Sequence, residues 1–331
     1  VNHPDAAIVG AGIVGCSIAY ELAKKGLRVT VVDRGPIGRE ASWAAGGILT
    51  PVHLADYPSA LAELCVRAQE GYAAFVEEIR GSEDPELRRT GLLLLVRDDR
   101  DAQIARTLEE WKRARGQPVE LRSDGLFLPD VHQVRNPRLT RAIAEAAKRC
   151  GAEFRENTPV AGFLRVPGRV HGIRTSSGDL HAGTTILAAG AWSGEEAAKL
   201  GIALPVKPMK GQMLLVETEP ETVPSILLHR ELYLVPRADG RVLIGSTLED
   251  VGFDKRVTAG ATEHLLARAI EMCPALEGAT LLASWAGLRP GTPDRLPYLG
   301  RAPGWEGLVV ATGHYRNGIL LGPITGASIR E

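Results

Sequence analysis

The sequence predicts an α/β protein of two interleaved domains, one Rossmann-like and one α+β and built on antiparallel strands. Three observations carry that prediction. A G-x-G-x-x-G turn, Gly10 to Gly15, lies near the start between an apolar run and a helical stretch. The same strand–glycine–helix order returns near the end, at Gly313 to Ile319. Between them, from Gln212 to Gly245, the texture changes to short apolar runs cut by Pro and Gly, as antiparallel strands require. Such α/β segments bracketing a β-rich middle imply interleaving rather than succession, and 331 residues suffice for about two domains.

Taken in order, Ala6–Gly10 is apolar and ends in glycine, the pattern of a buried parallel strand. Val14–Lys25 is helical and stops at Gly26, a C-terminal cap. Arg28–Val32 is the next strand, closed by Asp33. Ala60–Ile79 reads as a long helix, Leu92–Val96 as a strand and Arg100–Arg115 as a charged amphipathic helix. Leu139–Cys150 is helical and leads into a strand at Ala152–Arg155. Val170–Arg174 and Asp179–Ala182 flank the turn Ser176-Ser177-Gly178, which predicts a hairpin. Thr185–Leu187 is a buried strand running into Ala188-Ala189-Gly190. The middle supplies strands at Met213–Val216, Leu232–Val235 and Val242–Ile244, with a helix at Thr262–Met272. A last strand, Leu308–Ala311, precedes a helix from Ile319 onward.

Composition narrows the function classes. Thirty-nine basic residues are offset by forty acidic ones, so the net charge of −1 leaves no footprint for nucleic acid or anionic lipid. Cys16, Cys65, Cys150 and Cys273 are too widely spaced for a zinc site or disulfide framework, which predicts reduced thiols and no bound metal. No apolar run reaches the roughly 20 residues needed to span a bilayer, and no signal peptide precedes the first strand. A cytoplasmic location is therefore expected. Because the chain opens on Val1 and stops at Glu331 within an apparent helix, a further C-terminal tail is also expected.

The glycine turn has a specific chemistry. Gly10 permits the tight turn, Gly12 lets the backbone approach a pyrophosphate and Gly15 lets helix and strand pack closely. The open amides and positive end of the helix then hold phosphates. Asp33 lies eighteen residues after Gly15 at a strand end, where a carboxylate accepts bonds from ribose hydroxyls. This fingerprint alone does not separate FAD from NAD, but two further segments favour FAD. Gly38-Arg39-Glu40-Ala41-Ser42-Trp43-Ala44-Ala45-Gly46-Gly47 is rich in small residues that can lie against a flat ring. Gly313-His314-Tyr315-Arg316-Asn317-Gly318-Ile319 offers a second helix start that could stabilise negative charge on a reduced flavin.

Four blocks carry a resemblance that reaches beyond this fingerprint. They are Tyr233-Leu234-Val235-Pro236-Arg237, Trp285 to Asp294 (WAGLRPGTPD), Pro297-Tyr298-Leu299-Gly300, and Gly313 to Leu321 (GHYRNGILL). In this order the chain resembles the D-amino-acid oxidase family of flavoproteins, and within it the glycine oxidases of thiamine biosynthesis, from Ala6 to its end. The resemblance implies an FAD domain over 1–80, 136–205 and 287–331. A substrate domain with a large antiparallel sheet then occupies 81–135 and 206–286. It implies cofactor contacts at Gly10, Gly12, Ile13, Val14, Gly15, Asp33, Arg34, Ser42, Ala45, Gly46, Gly47, Val160, Ala189, Gly190, Trp192, Gly287, Arg289, Gly313, His314, Arg316, Asn317, Gly318 and Ile319. It also implies a homo-oligomer, commonly a tetramer. Gly287 stands where related sarcosine oxidases carry the flavin-linking cysteine, so the FAD is expected to be non-covalent. Glu231 stands where glycine oxidases often have histidine, two residues before Tyr233.

The chemistry expected of such a site needs orientation more than a nucleophile. Hydride leaves Cα of an amino acid for the flavin, water hydrolyses the resulting imine, and oxygen takes the electrons as peroxide. Arg289 is the natural carboxylate anchor, since a guanidinium binds both oxygens in a planar fork. Tyr233 can reach the same carboxylate from its alternating strand, and Arg316 can help hold substrate or the flavin edge. His314 is expected to be a packed flavin neighbour rather than a base, with Trp43 and Trp285 as packing residues. Side chains near Tyr233, Leu49 and His53 would set the pocket's size. Sarcosine, other N-alkyl glycines, D-amino acids and a dehydrogenase passing electrons to a quinone stay open as alternatives. A non-catalytic flavin subunit would have no use for a carboxylate clamp.

Overall fold

The computed structural model describes residues 3–51 and 58–330. Among these, a six-stranded sheet runs in the order Tyr298–Arg301, Leu308–Thr312, Thr184–Leu187, Ala6–Val9, Val29–Val32, Glu153–Arg155. Its strands are parallel except for the edge strand Tyr298–Arg301. Ala6–Val9 and Val29–Val32 are buried at every position, which is why the first reads as an unbroken apolar run and the second is broken only by Thr30, rather than alternating. The helices Ile13–Lys24, Ser59–Glu78, Asn136–Arg149 and Gly318–Arg330 share one apolar core with this sheet. Tyr72 donates to the Ile319 carbonyl at 2.8 Å and so ties the long helix to the start of the last one.

A second sheet has eight strands in the order Thr280–Gly291, Lys207–Glu217, Arg241–Gly245, Leu232–Pro236, Ile226–His229, Leu92–Leu95, Gly125–Leu128, Glu120–Arg122. It is antiparallel apart from the parallel pair Ile226–His229 with Leu92–Leu95. The helix Ala259–Met272 packs on one face through Leu265, Ala269 and Met272. The helix Asp99–Arg113 covers other strands through Ala105 and Leu108, and its N-terminus is capped by Asp98, which accepts from the Asp101 amide.

Elements deduced from local pattern stand where expected, with ends shifted by one to three residues. Pairing alone shows others. The predicted strand Met213–Val216 extends to Lys207–Glu217 because it pairs along its length with the twelve-residue strand Thr280–Gly291. That partner was not apparent beforehand, since Gly287, Pro290 and Gly291 read as breakers. It also runs without interruption through residues 286 and 287. The predicted hairpin at 170–182 gains a third strand, Val160–Val166. Among the described residues no helix is long and apolar enough to cross a membrane.

Candidate active site

Strand register builds one wall of the site. Tyr233 lies opposite Gly245, Gly245 opposite Met213, and Met213 opposite Trp285. Two residues along, Gly211 faces Gly287, and two further on Met209 faces Arg289. Side chains alternate with period two, so these rows share one face of the sheet. Tyr233, Met213, Gly211, Gly287 and Arg289 accordingly line one cavity. The opposite wall comes from the parallel-sheet side: Gly12, Ile13 and Val14, the segment Ala41 to Ile48, Gly190, and His314 to Ile319.

The void is about 1220 Å³ including its open mouth. Its lining runs from the glycine turn along the segment 41–48 to the start of the last helix, a longer surface than a small amino acid alone would cover. The residues present fit a flavin nucleotide. The helix Ile13–Lys24 starts at Gly12, which supplies no side-chain cap, and its first amide, that of Ile13, donates to Ser42 Oγ at 2.9 Å; the positive end of the helix thus faces the cavity where a phosphate would lie. Small residues form the wall that a flat ring would face. That segment is pinned from behind: Asn136 Nδ2 donates to the carbonyls of Ser42 (2.6 Å) and Trp43 (2.9 Å), and Arg237 Nη2 to that of Gly46 (3.0 Å). Burial draws the Arg237 guanidinium down to about 10. A Cβ at Gly287 would lie 2.5 Å from that of Ala44, so this position has no room for a side chain.

Arg289 lines the cavity with its guanidinium held by Ser246 Oγ (2.6 Å) and, more weakly, the Thr247 carbonyl (3.4 Å). Burial lowers its pKa first, and the neighbouring Arg316 lowers it further. Among the described residues no carboxylate pairs with it. The turn that supplies Ser246 and Thr247 is fixed to the strand behind it. Glu249 accepts from Gln212 Nε2 at 2.8 Å and from Thr247 Oγ1, and it pairs with the buried Lys210 at 3.3 Å. Gly211, between Lys210 and Gln212, leaves the space that the guanidinium occupies, since a Cβ there would be 2.3 Å from both of its terminal nitrogens. Neither Gly211 nor this network was apparent in the sequence, because Glu249 lies 37 and 39 residues from Gln212 and Lys210, and Arg289 lies 78 from Gly211.

The remaining predicted residues divide in two. Gly12, Ile13, Val14, Ser42, Ala45, Gly46, Gly47, Gly190, Gly287, His314, Arg316, Asn317, Gly318 and Ile319 line the cavity with Tyr233 and Arg289. Gly10, Gly15, Asp33, Arg34, Val160, Ala189, Trp192 and Gly313 lie outside that lining. Asp33 braces the glycine turn itself, accepting from the amides of Ala11 (2.7 Å) and Gly35 (2.9 Å), while burial raises its pKa. Arg34 stacks on Trp192 at 3.7 Å, and Trp192 in turn on Phe253. Val160 packs beside Ile173 and Leu180, and its carbonyl accepts from Lys199 at 2.8 Å. His314 is buried, bonds Thr325 through Nε2 at 2.9 Å and is pushed down to about 4 by desolvation, so it is neutral at pH 7. Trp285 packs edge-on against Trp43 and donates to the Ala44 carbonyl at 3.2 Å. Leu49 is fully buried, and His53 lies outside the described residues.

Comparison with known proteins agrees with this geometry. The family model described as FAD dependent oxidoreductase matches residues 5–331. A glycine oxidase of Pseudomonas putida is 41% identical over 330 residues, covering 96% of this chain and 90% of its own length. The bifunctional protein ThiO/ThiG of Trichormus variabilis is 36% identical, and the match covers 99% of this chain and 52% of that longer protein. The crystal structure of glycine oxidase from Geobacillus kaustophilus superposes with a TM-score of 0.92 at 34% identity, covering 99% of this chain and 93% of the other. With a glycine turn that opens onto a cavity in a mixed α/β fold, and with this match over nearly its whole length, the chain belongs to the family of FAD-dependent oxidoreductases.

Proposed function

We propose that the protein oxidises glycine or another small amino acid at the cavity between its two sheets, in service of thiamine biosynthesis. The observation that carries this reading is Arg289. A guanidinium on the wall of the cavity that the glycine turn opens onto, without a carboxylate partner among the described residues, is placed to receive one from outside. Tyr233 stands on the same face of the sheet to add a hydroxyl to that carboxylate. Together they orient Cα without any group acting as nucleophile.

Bound FAD supplies the acceptor for the hydride that leaves Cα and passes the electron pair to oxygen, giving peroxide. The chain's own residues hold that cofactor through the glycine turn, the small-residue segment 42–47 and the start of the last helix. Neutral His314 adds no charge to the seat, and the helix starting at Gly318 presents its positive end there. The lack of space at Gly287 supports a non-covalent FAD. In this reading the segments 1–80, 136–205 and 287–331 hold the cofactor, while 81–135 and 206–286 shape the substrate pocket, which Arg289 reaches from the end of the strand Thr280–Gly291. Homo-oligomeric assembly and a cytoplasmic setting belong to the same reading, and light scattering of the purified protein tests the first.

The visible spectrum recorded without oxygen, before and after glycine, tests the whole proposal. A yellow protein that bleaches on glycine and recovers in air bears it out. One that stays yellow overturns glycine and turns the assay to sarcosine and D-alanine. A protein that is colourless and cannot be loaded with FAD overturns the cofactor assignment as well.

A further inference from the structure

We propose that Glu231 sets the charge of the substrate pocket: by neutralising Arg316 it restricts the site to amino acids with one carboxylate and disfavours those with two. This rests on the reading that Arg289 anchors the substrate carboxylate. Arg289 and Arg316 line the same cavity, and the Tyr315 amide donates to the Pro290 carbonyl at 3.1 Å, which ties the two guanidinium-bearing segments together. Two guanidiniums would match a dicarboxylate. One of them is already spoken for, because Arg316 Nη2 lies 2.6 Å from Glu231 Oε2.

Glu231 is held in place to do this. It sits in the tight turn between the strands Ile226–His229 and Leu232–Pro236, where Arg230 adopts a positive φ of 54°. Arg230 pairs with Asp98 and, through Nε at 3.2 Å, with Asp101, while His229 bonds Asp101 at 3.0 Å. The turn is thus clamped to the helix Asp99–Arg113, and Glu231 is presented to Arg316 as a tethered carboxylate of high local concentration. With His314 neutral, the formal charge of Arg289, Arg316 and Glu231 together is that of one cation. A second substrate carboxylate would have to displace Glu231 and stand beside a like charge.

The test uses the FAD-loaded protein and two unreactive probes, acetate and malonate, titrated by perturbation of the flavin spectrum. Because over half of the Glu231 side chain is open to solvent, Glu231→Gln leaves the fold intact. It is expected to raise malonate affinity relative to acetate by about tenfold, the scale of one like-charge contact at a half-exposed position. The ratio of kcat/KM for N-carboxymethylglycine over glycine should rise in parallel, and Glu231→Asp should stay near the parent ratio. If acetate binds normally and the malonate-to-acetate ratio does not move in Glu231→Gln, Glu231 does not set the pocket charge. If neither probe binds the parent protein, the carboxylate-anchor reading fails, and this proposal with it.

Discussion

Gly211→Ala separates the anchor from the rest of the fold. A Cβ at residue 211 would lie 2.3 Å from both terminal nitrogens of Arg289 and 2.6 Å from Cζ, where ordinary contact begins at 3.4 Å. The guanidinium therefore has to withdraw by about 1 Å. It is the far end of a flexible side chain, so it yields before the sheet does. Replacing a strand glycine also returns about 0.5–1 kcal/mol of backbone entropy, which offsets part of the crowding. The withdrawal stretches the 2.6 Å bond to Ser246 Oγ and moves the anchor off its position. A misplacement of this size costs about 10²-fold in rate, or about 2.7 kcal/mol of transition-state stabilisation. Anaerobic stopped-flow reduction of the flavin by subsaturating glycine should slow by that factor, while FAD content and melting temperature stay near the parent values. A variant that keeps its FAD and reduces within about threefold of the parent would refute the reasoning, since about 0.6 kcal/mol is too little for a displaced anchor. Loss of FAD alongside the rate would show that residue 211 supports the flavin seat instead.

Arg289→Ala should keep FAD yet lose about 2–5 kcal/mol of affinity for glycine or acetate, because it removes one member of a buried charged pair. An unchanged dissociation constant in a spectral titration removes Arg289 from the site. Asp33→Ala should weaken FAD retention in equilibrium dialysis, since it releases the Ala11 amide within the glycine turn and the Gly35 amide in the loop beside it. Retention equal to the parent's would end that role. His314 should make the protein acid-sensitive. Its folded pKa of about 4 lies below the ordinary 6.5, so the unfolded chain binds more protons between these values. The stability it contributes is complete above about pH 6.5 and falls by about 2 kcal/mol on reaching pH 5. Thermal melts of His314→Asn against the parent check this, and an unaltered pH slope in the variant would count against it.

What could be read from the sequence, and what could not, divides by the distance over which the cause acts. The glycine turn at residues 10–15 was legible because its requirements are local: a strand, a turn that only glycine satisfies, and a helix that starts at a glycine. The long helices were legible for the same reason. The strand Thr280–Gly291 was not, because its stability comes from eleven register positions against Lys207–Glu217 rather than from its own glycines and proline. Tyr233 and Arg289 could be named from their motifs, yet nothing in those motifs shows that they share a face. That follows from a register linking four strands through Gly245, Met213 and Trp285. Gly211 matters only because a side chain on the neighbouring strand fills the space it leaves. Glu231 appeared in the sequence as an odd residue where histidine is common. Its pairing with Arg316, across 85 positions of chain, is what turns that oddity into an argument about charge. A site whose walls come from two sheets keeps its chemistry in pairs of residues distant in sequence. Motifs can therefore identify the reaction class, while the selectivity among its substrates resides in contacts that only the folded chain makes.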